Sequence, residues 1–78
     1  MDRQYGDARY TSCMIEDRKE GYIGLELRRL RHGISDRIAR ILFWDASGQF
    51  SVETLGSDVP LDVLEELLLE VKTSIKTS

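Results

Sequence analysis

The stretch that most constrains this chain is Arg37 to Leu55, RIARILFWDASGQFSVETL, in which two apolar runs flank Asp45-Ala46-Ser47-Gly48. A glycine closing Asp-Ala-Ser suits a type I turn that ends in the left-handed region, so the spacing predicts a β-hairpin. With Asp45 opposite Gln49 across a three-residue loop, the register runs outward as Trp44 with Phe50, Phe43 with Ser51, Leu42 with Val52 and Ile41 with Glu53. Ile38, Leu42, Trp44, Phe50 and Val52 then form the expected core face, and Ala39, Ile41, Phe43, Ser51 and Glu53 form the other. Side chains alternate with a period of two, so a slip of one residue would swap these sets and put the mixed face inward.

A hairpin with one apolar face needs a lid. Between Pro60 and Ile75, the residues Leu61, Leu64, Leu67, Leu68, Val71 and Ile75 recur at helical spacing and predict an amphipathic helix. Pro60 suits the first turn, and Asp62 sets negative charge near the positive end of the dipole. At the far end Lys72 supplies the complementary positive charge, and the residues beyond it are expected to fray. Leu69 falls on the opposite side, among glutamates; together with an outward Ile41 and Phe43 it suggests apolar surface left over for a partner.

Upstream, residues 1–7 read as a flexible N-terminus, followed by a single α+β domain over residues 8–76. Ala8 to Glu16 has strand composition, with Thr11, Cys13 and Ile15 on one face and Tyr10, Ser12 and Met14 on the other. Asp17 to Gly21 reads as a turn. Tyr22 to Arg31 alternates Ile23, Leu25 and Leu27 inward with Gly24, Glu26 and Arg28 outward, as a second strand would. A competing reading makes Leu25 to His32 a helix stopped by Gly33, with Ser35 capping another: a helix-turn-helix followed by hairpin and helix. Ile-Leu-Phe-Trp favours a pleated surface, and the hairpin needs an antiparallel neighbour, so strands are the reading adopted. The expected fold is α+β: a four-stranded antiparallel meander (ββββα) with the C-terminal helix packed on one sheet face.

With 78 residues the chain makes one domain, a size at which only about 60% of the unfolded chain's surface is buried. Help from a disulfide is excluded by the single cysteine, Cys13, which also points to a reducing compartment and hence the cytoplasm. One histidine and one cysteine leave no metal set, and no glycine-rich or nucleotide motif calls for a cofactor. The polar start lacks the apolar core of a leader, and no run approaches the roughly 20 apolar residues of a membrane span. Self-association as a homodimer is the remaining source of stability.

The net charge of −3 hides an asymmetry. Residues 28–44 carry Arg28, Arg29, Arg31, Arg37 and Arg40 against Asp36, whereas residues 45–70 carry seven acids and no lysine or arginine. These arginines, near Tyr22, Phe43 and Trp44, could contact phosphates and stack bases, which makes nucleic-acid binding the alternative function. Against it stand a pI near 5.0 and the inward position assigned to Trp44. Catalysis has only Cys13 and His32 to draw on, and a lone cysteine in a strand is usually a packed residue. The leading expectation is a non-enzymatic protein-interaction module, probing its partner with Tyr22, Glu26, Arg28, Ile41, Phe43, Glu53 and Leu69. The partner would be a second copy or another protein.

Overall fold

In the computed structural model, which describes residues 1–75, an antiparallel sheet of five strands is followed by one helix. The strands are β1 (Asp2–Tyr5), β2 (Ala8–Asp17), β3 (Tyr22–Arg31), β4 (Ile34–Trp44) and β5 (Gln49–Thr54), and the helix is α1 (Leu61–Ser74). Sheet order follows sequence order, so the topology is the expected meander with one strand more than expected. The addition is β1. The polar Asp2-Arg3-Gln4-Tyr5, expected to belong to a flexible terminus, pairs instead with Thr11 to Ala8 of β2 through a Gly6-Asp7 turn. A strand at a sheet edge can be polar because only one of its hydrogen-bonding sides is used. The expected fraying past Lys72, and a domain end at residue 76, lie partly or wholly outside the described residues.

The choice between strands and a helix-turn-helix is decided at His32-Gly33. Both have left-handed backbones, φ 51° and 76°, the conformation of a two-residue hairpin turn that matches strand twist. Arg31 therefore pairs with Ile34, and Ser35 lies within a strand instead of capping a helix.

The 44–49 hairpin forms, but its register differs from the sequence expectation by one residue. Trp44, not Asp45, faces Gln49, so the loop has four residues, closed by Gly48 N–H donating to the Trp44 carbonyl at 2.8 Å. Phe43 then pairs with Phe50, Ile41 with Val52 and Arg40 with Glu53. The consequence is that Ala39, Ile41 and Phe43 turn toward α1, while Leu42 and Trp44 turn away. Ile38 nevertheless stays inside, because the β3–β4 register shifts between Leu27 and Arg28: Leu27 pairs with Ala39 and Arg28 with Arg37, leaving Ile38 as an extra residue. A bulge of this kind breaks the two-residue alternation, which is why Ile38, Leu42 and Trp44 do not share a face.

The core lies between the sheet and α1: Ala8, Tyr10, Leu25, Leu27, Ile38, Ala39 and Ile41 meet Val63, Leu67, Val71 and Ile75. Of the expected helical stripe, Leu67, Val71 and Ile75 are buried and Leu64 and Leu68 half-buried, but Leu61 is 66% exposed and Val63 takes its place. Leu69 is exposed on the far side, as its position on the helix requires. Polar links tie the edge to the lid. Ser12 Oγ donates to Glu70, the Met1 amino group lies 2.6 Å from Glu70 Oε1, and Arg3 pairs with Glu66 at 3.2 Å.

Candidate interaction face

Among the described residues, the sheet face turned away from α1 has no second layer over it. Cross-strand register brings together Cys13 of β2, Tyr22, Gly24, Glu26 and Arg28 of β3, Arg37, Arg40, Leu42 and Trp44 of β4, and Ser51 and Glu53 of β5. A close approach of two strands shapes its centre. A Cβ built on Gly24 would lie 1.9 Å from the Ile41 carbonyl oxygen, so only glycine lets β3 come this near to β4. Leu42, opposite Gly24, is buried to 2% exposure despite lying on the uncovered side.

Aromatic and charged groups surround this centre in two linked clusters. Tyr22 and Trp44 are cross-strand partners whose rings meet edge to face at 5.2 Å, and Trp44 Nε1 donates to Ser51 Oγ at 2.8 Å. The Arg40 guanidinium sits 5.9 Å from the Tyr22 ring centre and gives Glu53 two hydrogen bonds from Nη2, at 2.9 and 3.0 Å. The bond from Glu53 holds the Arg40 pKa above its ordinary value, and burial opposes this. Arg40 Nε is buried without a hydrogen-bond partner among the described residues.

The second cluster is built on Glu26, which is only 5% exposed. Its Oε2 accepts from Arg28 Nε at 2.9 Å and from the Cys13 thiol at 3.8 Å, while Arg37 Nη1 approaches Oε1 at 3.7 Å. A carboxylate so enclosed needs cationic partners, and two half-exposed arginines supply them. The same contact raises the Arg28 pKa, first through the hydrogen bond and then through charge. Cys13 is exposed here, contrary to the packed position expected of it.

Of the seven residues expected at an interface, Tyr22, Glu26, Arg28 and Glu53 do share this face. Ile41 and Phe43 do not, because the hairpin register turns them toward the helix; Ile41 is fully buried and Phe43 packs against the core. Leu69, 67% exposed on the outer side of α1, belongs to a different surface altogether. The five arginines also divide. Arg28, Arg37 and Arg40 lie on the uncovered face, whereas Arg29 pairs with Tyr10 and Asp36 and turns, with Arg31, to the helix side. Sequence reasoning missed Trp44 and Leu42 as members of the face; the signal that could have found them is the loop length, four residues instead of three.

Cys13 and His32 are not brought together. Cys13 pairs with Glu26, and His32 lies six residues further along, in the turn after β3, which at strand spacing is roughly 20 Å away. Among the described residues no group of three or more His, Cys, Asp or Glu is placed to hold a metal ion, and no helix is long and apolar enough to cross a membrane. No family model, no curated protein and no solved structure matches this chain.

Proposed function

We propose that the protein is a non-enzymatic interaction module of the cytoplasm that pairs with a second copy of itself through the uncovered sheet face. The observation that carries this reading is the Tyr22–Trp44 pair beside Leu42 and Arg40, on a face with no layer over it. Tryptophan, tyrosine and arginine are the residues that most often dominate binding energy, and here they sit inside a rim of both charge signs. That mixture suits a copy of itself, since the half-exposed Glu53 of one face can meet the more exposed Arg37 of the other. At strand spacing the face offers about 650 Å² per copy, so a pair would cover about 1,300 Å², the lower end of stable interfaces.

Sedimentation velocity over a wide concentration range tests this. A dimer is expected for the unmutated chain, and Trp44→Glu is expected to weaken it by about tenfold or more, a charge being forced into an apolar contact. A chain that sediments as a monomer at millimolar concentration overturns the reading.

One observation favours nucleic-acid binding as a second reading: Trp44 and Tyr22 face outward next to Arg28, Arg37 and Arg40, as a stacking platform requires. Those three arginines are, however, already engaged by Glu26 and Glu53. Binding of single-stranded DNA or RNA that falls steeply with added salt and is lost in Arg37→Ala/Arg40→Ala would place this reading first.

A further inference from the structure

Beside the start of α1, on the side of the sheet opposite the proposed interface, a cleft of about 550 Å³ opens. We propose that it binds a phosphate monoester carried on a flat ring, a ligand of mononucleotide size. Its floor comes from the sheet register. Tyr10 of β2 and Arg29 of β3 are cross-strand partners, and Arg31, two residues further along β3, shares their side. Tyr5 closes one end, its ring edge to face with Tyr10 at 6.5 Å, and Ser57 and Pro60 from the segment before α1 form the opposite wall.

Three groups in this cleft have unused capacity to bind an anion. Arg29 makes no ion pair or side-chain hydrogen bond among the described residues, unlike Arg28 on the other face. Arg31 forms an ion pair with Asp7 at 3.5 Å but no hydrogen bond to it, so its guanidinium keeps free donors. Tyr10 is 98% buried, being only 2% exposed, yet its hydroxyl has no hydrogen-bond partner among the described residues and the side chain lines the cleft. The hydroxyl keeps a small access to solvent at the cleft, where a ligand oxygen could take the place of water.

The helix adds to this set. Pro60, the residue before α1, lines the cleft and no side chain caps the helix, although Asp62 places an acid in its first turn. Two guanidinium groups and three hydroxyls on the lining give the site an excess of donors, which suits an oxyanion. Asp58 is the single acid on the lining and would hold affinity down. The volume falls within the range of small-molecule sites, about 300–1,000 Å³, and exceeds what a bare phosphate fills. Tyr5 and Pro60 are the surfaces on which a ring can lie.

The test is titration of the full chain with phenyl phosphate at fixed ionic strength, followed by amide chemical shifts and calorimetry. Saturable shifts are expected at Tyr10, Arg29, Arg31 and the first turn of α1, and inorganic phosphate, lacking the ring, should bind several-fold more weakly. Arg29→Gln is expected to lower affinity by about tenfold or more, the loss of a charge-assisted bond. Tyr10→Phe keeps the buried ring and should also weaken binding, which decides the matter even if the arginine variant fails to fold. Phenyl phosphate that produces no saturable shift at these residues, or binding unchanged in both variants, overturns the proposal. So does an oligonucleotide that occupies the cleft where phenyl phosphate does not.

Discussion

Single residues on β3 and α1 carry more of the architecture than their size suggests. Gly24 is the point at which β3 and β4 approach too closely for any side chain, so Gly24→Ala must push backbone against backbone. A loss of about 2–3 kcal/mol is expected, the usual cost of overpacking where nothing can yield, and a urea melt within about 0.5 kcal/mol of the parent would contradict it. Glu70 is a second such residue. Burial raises its pKa, but the Met1 amino group and Ser12 outweigh that and hold it below the ordinary value. Because its folded pKa is depressed, the unfolded chain binds more protons at mildly acid pH. The stabilisation is present above the unfolded value, about 4.5, and is lost as pH falls through the lower folded one. Acid titration of stability should therefore show a smaller drop below that value in Glu70→Gln than in the parent. Equal slopes for the two chains would remove Glu70 from the link that ties Met1 and Ser12 to the helix.

Among the elements, the helix illustrates how a period can be read correctly while its phase is not. Leucine is so frequent between Leu61 and Leu69 that several stripes fit the sequence, and only docking on the sheet selects the one through Val63, Leu67 and Val71. Leu67 is fully buried and Leu61 largely exposed. Thermal or denaturant melts should accordingly show Leu67→Ala losing about 3 kcal/mol, as buried leucines do. Leu61→Ala should fall within about 0.5 kcal/mol of the parent. Comparable losses for both would mean that the helix is rotated. The β3–β4 turn shows the opposite balance. Gly33 was legible only as a possible helix terminator, whereas the left-handed pair His32-Gly33 is what makes a tight hairpin of the two longest neighbouring strands. No local rule forces a histidine into that conformation; the pairing on either side does.

The molecule as a whole is a single sheet with a helix on one side only, and that asymmetry divides its surfaces. Which side each β4 residue takes separates a core substitution from a surface one. Phe43→Glu, which the sequence register would make a surface change, instead puts a charge against the core cluster. It should lower the melting temperature by several degrees, since about 1 kcal/mol shifts a domain of this size by roughly 4–8 °C. Trp44→Glu, one residue along and facing away, loses the Tyr22 contact and the Ser51 hydrogen bond and should lower the melting temperature less than Phe43→Glu while altering association. The reverse pattern, a stable Phe43→Glu beside an unstable Trp44→Glu, would restore the register read from the sequence. The same asymmetry separates the arginines into a neutralised group facing outward and an Arg29 beside the helix start that has no ion pair among the described residues.

Local chemistry alone determined the class of each main element: the β-rich run before Asp45, the turn of Asp-Ala-Ser-Gly, the amphipathic helix after Pro60 and the inward alternation of Ile23, Leu25 and Leu27. These depend on backbone preference and on periodicity within one segment, which neighbours do not alter. Tertiary structure decided the strand of polar residues at the edge, the extra residue at Ile38 and the sides taken by Ile41, Leu42, Phe43 and Trp44. Those depend on register between segments, and a shift of one residue costs little in local propensity. It is the burial of Leu25, Leu27 and Ile41 beneath a shared helix that fixes the register.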